Sequence, residues 1–343
     1  MSILEVRRSS SFDLASRVWA LLGVGVVLIA ASIRGAVPAA ALSAPPYGHS
    51  WYVTTHSTTT MYNRGYADGQ FDTQNCTGSM VFLDFGQPTQ WYYSGSNYQQ
   101  YGTYDFREVT YMSDDQILSL AENYAAGWWD GSSSCPYLHL AFGTNNYNEC
   151  PAPGTYSLTT CSVSTAGAEW GILVNNFNSW LQVRHRDTST GTYWWYGQQE
   201  AVVAGDDIES GWDCPSQTRS FVAAYNSNTS VLTYDYGDFY ASGCWTSADF
   251  FYVGWGAADD YTLPETYTNY QINALVSDEQ AQGNMFPAGN MTTCSGGDPV
   301  PSQTCSNGWY GPVGGWNALY NAQAGASLAQ GSMAWSTNIQ TQP

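Results

Sequence analysis

From Ser79 to the end of the chain, short apolar runs alternate with stretches of helical periodicity. Apolar runs of roughly four to eight residues bounded by turn residues have the length of buried strands. On that basis strands are predicted at 80–85, 137–142, 201–208, 231–236, 250–255, 284–290 and 332–336, with an eighth within 103–111. Helices are predicted at 116–129, 165–183, 216–226, 267–282 and 316–328. Ser113-Asp114-Asp115 caps the first helix, and Ile117, Leu120, Ala121 and Tyr124 fall on one of its faces. In the second, Ile172, Leu173, Phe177, Trp180 and Leu181 do the same.

Strands alternating with helices imply parallel pairing through crossover helices. Short, sequentially spaced apolar strands favour an α/β fold of the closed (β/α)8 TIM barrel type over an open sheet. Phe85-Gly86-Gln87-Pro88 after the first predicted strand lacks the glycine pattern of a dinucleotide-binding turn. One barrel domain is expected over 79–343, with the Thr-, Tyr- and Gly-rich residues 42–78 as an N-terminal arm covering it.

The first 41 residues have the make-up of an export signal. Arg7, Arg8 and Arg17 form a basic region, residues 18–32 an apolar one, and Ala39-Ala40-Ala41 a small-residue cleavage site. A secreted, extracellular protein with no membrane contact after cleavage is expected; retention of the segment as an anchor is the other outcome. Cleavage after Ala41 leaves 5 arginines against 26 acids, a net charge of −21, and the chain contains no lysine. Nucleic acid is excluded as a partner, because phosphate binding needs a positive stripe.

The eight cysteines, all beyond residue 75, suggest four disulfides in an exported chain. Cys150–Cys161 and Cys294–Cys305 each flank a loop, Cys214–Cys244 brackets a helix and strand, and Cys76–Cys135 takes the remainder. No CxxC, HExxH or Cys/His cluster at ligand spacing is present, so no metal and no cofactor are expected.

Barrel enzymes carry their chemistry at the C-terminal ends of strands. The predicted ends bear Asp84, Asn145 and Asn146, Asp207 and Glu209, Asp235 and Asp238, and Trp255. Side chains two apart in a strand share a face, so Asp207 and Glu209 project together and Asp206 faces away. Neighbouring carboxylates resist joint ionisation, which suits glycosidic bond cleavage, where one carboxyl donates a proton and another attacks or stabilises charge. Asp235, Asn145, Trp255 and Tyr234 are the candidate substrate contacts, because acids and amides bind hydroxyls and aromatic rings stack on sugars. No GxSxG elbow supports a serine hydrolase.

The run Val81-Phe82-Leu83-Asp84-Phe85-Gly86-Gln87 resembles the first strand of the glycoside-hydrolase-like barrels that include the Asp-x-Glu muramidases. Val202-Val203-Ala204-Gly205-Asp206-Asp207-Ile208-Glu209 resembles their central strand. The resemblance implies Glu209 as proton donor, with Asp207 and Asp84 as supporting or nucleophilic carboxylates. It also implies a secreted glycoside hydrolase acting on a cell-wall glycan or other extracellular polysaccharide. A monomer is expected. Those muramidases carry a further acid near the last strand, where this chain has Trp335-Ser336-Thr337-Asn338. That departure favours the alternative, a non-catalytic glycan-binding or surface-layer barrel.

Overall fold

The structure is a computed structural model and describes residues 43–76, 78–92, 99–105, 110–134, 136–147, 162–186, 191, 193–240, 243–257, 260–283, 285–294, 303–328 and 330–341. In chain order the elements are β1 (Gly48–Tyr52), α1 (Thr58–Asn75), β2 (Ser79–Asp84), β3 (Gln87–Tyr92), β4 (Gln99–Asp105), β5 (Thr110–Ser113), α2 (Asp114–Gly131), β6 (Leu138–Asn145) and α3 (Val163–Leu181). They continue with β7 (His185–Arg186), β8 (Tyr193–Trp194), β9 (Glu200–Asp207), α4 (Pro215–Asn228), β10 (Thr233–Asp235), α5 (Ser247–Phe251), β11 (Asp260–Thr262), α6 (Asn269–Gln282), β12 (Gly289–Thr292), α7 (Pro312–Gly325) and β13 (Trp335–Thr341).

Eight of these strands form one parallel sheet in the order β11-β10-β9-β6-β2-β1-β13-β12. Its two ends meet just past β11, where Glu265 bridges Met291 in parallel fashion. Met291 N–H donates to the Pro264 carbonyl at 2.9 Å, and Thr266 N–H donates to the Met291 carbonyl at 2.9 Å. The sheet is thus a nearly closed (β/α)8-type barrel, as the strand–helix alternation predicts. No helix among the described residues is long and apolar enough to cross a membrane.

The register sorts each strand into two faces. Met80, Phe82, Ala141, Val203, Tyr236, Leu263, Met291 and Ile339 fill the inside of the barrel. Val81, Leu83, Leu140, Phe142, Val202 and Ala204 pack outward beneath the helices. Both faces of β2, β6 and β9 are buried, which is why they stand out in the sequence as nearly continuous apolar runs.

Several expectations need correction. Residues 42–78 are not an arm: β1 is a barrel strand paired with β2 and β13, and α1 packs on α2. The eighth strand is therefore β1, and 103–111 instead falls in a separate antiparallel sheet, β3-β4-β5. The apolar run 250–255 is helical, covered by α5 and a π-turn over Tyr252–Gly256. A capping box between Thr246 and Asp249 starts that helix, and an apolar run of this length suits a helix as well as a strand. The barrel strand is β11, displaced toward the C-terminus.

Cys214–Cys244 and Cys294–Cys305 are disulfides, with Cα separations of 5.8 and 5.3 Å. Cys76 is disulfide-bonded too. Cys135, Cys150, Cys161 and the signal segment lie outside the described residues.

Candidate active site

The C-terminal ends of β1, β2, β6 and β9 are in register. Tyr52 pairs with Asp84, Asp84 with Gly143, and Asn145 with Asp207. Asp84 continues the inward face of Met80 and Phe82, and Asp207 that of Val203. Glu209 follows on the loop after β9, where Asn146 holds its backbone from both sides. Glu209 N–H donates to Asn146 Oδ1 at 2.8 Å, and Asn146 Nδ2 donates to the Glu209 carbonyl at 3.2 Å.

Glu265, at the closure of the barrel, adds another acid. Its carboxyl accepts from the Tyr267 hydroxyl and from Gln271 Nε2, the latter at 2.9 Å. Asp207, Glu209 and Glu265 each present a carboxyl oxygen within 4.8 Å of the others. This is also the donor set, all hard oxygens, that suits a divalent cation.

Tyr236 forms the floor. Its hydroxyl donates to the Thr144 carbonyl at 3.1 Å, and its ring packs on Phe82 with centroids 4.5 Å apart. Two inward glycines make room for it. A Cβ on Gly143 would lie 2.5 Å from the Tyr236 hydroxyl, and one on Gly205 3.2 Å from its ring.

Burial and mutual repulsion dominate the electrostatics. Asp84 and Asp207 are each only 1% exposed, while Glu209 is partly open. Burial raises the Asp84 carboxyl to about 6, although the Gly86 N–H at 2.7 Å and nearby Tyr236 and Asn145 oppose the rise. Asp207 is driven well above the usual carboxylate range by burial, then by Glu209, Asp84, Glu265 and Asp235. Glu209 is pushed up to about 11 by burial, then by Glu265 and Asp238. Its hydrogen bond with Asp238 adds to that rise, while the Asp238 carboxyl is itself raised, mainly by burial. Glu265 rises to about 8 through burial and Asp238. Among the described residues, the ion pairs are His49–Asp68 and Arg219–Asp249, and neither involves these acids.

The fold brings Asp84, Asp207, Glu209 and Asn145 together and leaves other candidates out. Asp235 is in register with Asp206, so its side chain belongs to the opposite face from Asp207, and its Oδ1 accepts from Gly237 N–H at 3.1 Å. Tyr234 points into the barrel a layer lower, against Tyr261 and near Trp335, at the N-terminal end. Trp255 hydrogen-bonds the Phe286 carbonyl at 3.3 Å, in the loop entering β12, and so also lies at that far end.

Sequence reasoning misses three residues. Tyr52 lies among Asp207, Glu265, Asp84 and Glu209, and burial followed by those charges raises its phenol well above 10. It is hidden because β1, Gly-His-Ser-Trp-Tyr, has no apolar run. Glu265 and Tyr267 are missed because the strand before them is assigned ten residues too early. The turn signal Leu263-Pro264 just ahead of Glu265 is the clue that was available.

Aromatic pairs stand on the loops and the start of α6 at this same end. Tyr147 meets Trp212 edge-on at 5.6 Å, Tyr240 meets Tyr270 at 5.5 Å, and Tyr267 stacks on Trp309 at 5.4 Å. Compared with known protein families and with curated proteins, the sequence matches none of them.

Proposed function

We propose that this protein is a secreted glycoside hydrolase that cleaves an extracellular or cell-wall polysaccharide by carboxylate acid/base chemistry. The observation that carries the reading is the convergence of Asp84, Asp207, Glu209 and Glu265, with no ion pair to any of them among the described residues, at the end of a parallel barrel where such enzymes act. Glu209 is the proton donor. It is the partly open member of the group, and burial beside Glu265 and Asp238 favours its protonated form. Asp207 is the nucleophile or charge stabiliser, and Asp84 orients it together with Asn145. Oxygens within 4.8 Å lie on the side of the roughly 5–5.5 Å carboxyl spacing of retaining enzymes rather than the wider inverting one. The aromatic pairs flanking the acids supply faces for sugar rings. Secretion is supported by the signal-like segment and the disulfides.

The test is release of reducing ends from peptidoglycan and a panel of plant and microbial polysaccharides. Glu209→Gln is expected to lower the rate at least about 100-fold, as loss of a general acid does. Wild-type rates in that variant would remove Glu209 from the chemistry. The deep burial of Asp84 and Asp207 favours a second reading, a barrel that binds glycan without cleaving it. Retention on a polysaccharide column, with no products from the wild type, would select it.

A further inference from the structure

We propose that Asp207, Glu209 and Glu265 form a binding site for one Ca2+ ion. Three carboxyl oxygens come within 4.8 Å of one another, contributed by the end of β9, the loop after it and the segment that closes the barrel. The second observation concerns Asp207 itself. It is 1% exposed, it faces the inside of the barrel mouth, and its Oδ1 has no hydrogen-bond partner among the described residues. A buried, unpartnered carboxylate oxygen is costly unless a proton or a cation satisfies it.

The donors select the ion. All are carboxylate oxygens, with no Cys or His in the set, which suits a hard cation and disfavours zinc. Ca2+ takes oxygens at roughly 2.3–2.6 Å, so ligands on opposite sides of it lie about 4.6–5.2 Å apart. Oxygens within 4.8 Å of one another are compatible with that span. Mg2+, at roughly 2.0–2.1 Å and with strict octahedral demands, requires a tighter set.

The surroundings are prepared for such an ion. Glu265 is oriented by Tyr267 and Gln271, and Glu209 by the backbone clamp of Asn146. Metal sites depend on this kind of outer support. The inference goes beyond the hydrolase reading and stands whether or not these acids cleave a glycan. If they do, an ion on Glu209 withdraws the proton donor, and Ca2+ slows turnover.

The experiment is calorimetric titration of CaCl2 into the purified full-length protein after chelator dialysis, with no substrate present. One ion per chain is expected, with a dissociation constant of about 1 mM or tighter, the range of extracellular calcium modules. Thermal denaturation should shift upward at saturating Ca2+. Asp207→Asn and Glu265→Gln should each weaken binding at least about tenfold. Asp249→Asn, whose acid pairs with Arg219 on the surface, should bind as wild type. Glu209→Gln, altered at the most open of the three positions, serves if a buried variant fails to fold. Absence of both heat and thermal shift at about 10 mM Ca2+, or wild-type affinity in folded Asp207→Asn and Glu265→Gln, would overturn the site. Neither readout depends on glycan cleavage, so a failed hydrolase assay leaves this result intact.

Discussion

Asp68 and Asp207 are both buried aspartates, 4% and 1% exposed, and their surroundings are opposite. Asp68, on α1, is ringed by donors. It accepts from Trp51 Nε1 and the Tyr124 hydroxyl, both at 2.8 Å, and from His49 Nδ1 at 3.0 Å. Asp207 faces three other acids and leaves one oxygen without a partner among the described residues. A carboxylate satisfied on every side ties elements together, here β1, α1 and α2. A carboxylate buried against its own kind destabilises the fold, and persists where chemistry or ligand binding uses it.

The contrast breaks most sharply at Asp68. Asp68→Ala orphans two buried donors and a partly buried one, and should cost roughly 3–5 kcal/mol of stability. Urea denaturation of the oxidised protein measures this; a loss of less than about 1 kcal/mol would mean water replaces the acid freely.

A smaller effect is expected in the helix seam beside it. Gly65 and Gly127 let α1 and α2 approach closely. A Cβ on Gly65 would lie 2.0 Å from the Tyr124 carbonyl oxygen, and one on Gly127 2.0 Å from that of Tyr62. Because the obstacle is backbone, Gly127→Ala must push the helices apart, at a cost of about 2–3 kcal/mol visible as a lower Tm.

The smallest effect has the opposite sign. Near pH 8 and without calcium, Asp207→Asn should stabilise the protein by about 1–2 kcal/mol, because it removes one member of the repelling group. The pH dependence follows the same logic. Asp84 is raised to about 6 and Glu265 to about 8, so the folded protein holds protons that the unfolded chain has released. Their contribution to stability is fully present below about pH 4 and is lost as pH rises through 6 and then 8. Denaturation midpoints across that window should fall with pH, less steeply in Asp207→Asn. A variant that loses as much stability as Asp68→Ala would show that Asp207 has a structural partner.

Much of the barrel is legible in the chain. Strands β2, β6 and β9 announce themselves because both faces are buried, α2 because capping and apolar spacing agree, and α3 through its apolar spacing. Asp207 and Glu209 are found for the same reason: they follow the apolar run Ala201-Val202-Val203-Ala204. Strands β1 and β11 are not legible, and β12 is only roughly placed, by the run predicted at 284–290. Gly-His-Ser-Trp-Tyr, Asp-Tyr-Thr and Gly-Asn-Met-Thr are short and polar, and pairing within the closed sheet makes them strands. Each residue that depends on them, Tyr52 and Glu265 above all, is invisible with them.

The sequence by itself determined the parallel strand–helix order, the acidic strand end at 207 and 209, and a chain too poor in basic residues to neutralise its acids. Only the tertiary structure decided which acids meet. Closing the sheet sends Asp235 to the helix-facing side, Trp255 to the far end, and Glu265 from a site distant in sequence to within reach of Asp207. Local patterning records which residues are buried. It does not record the register and curvature that aim buried side chains at one another.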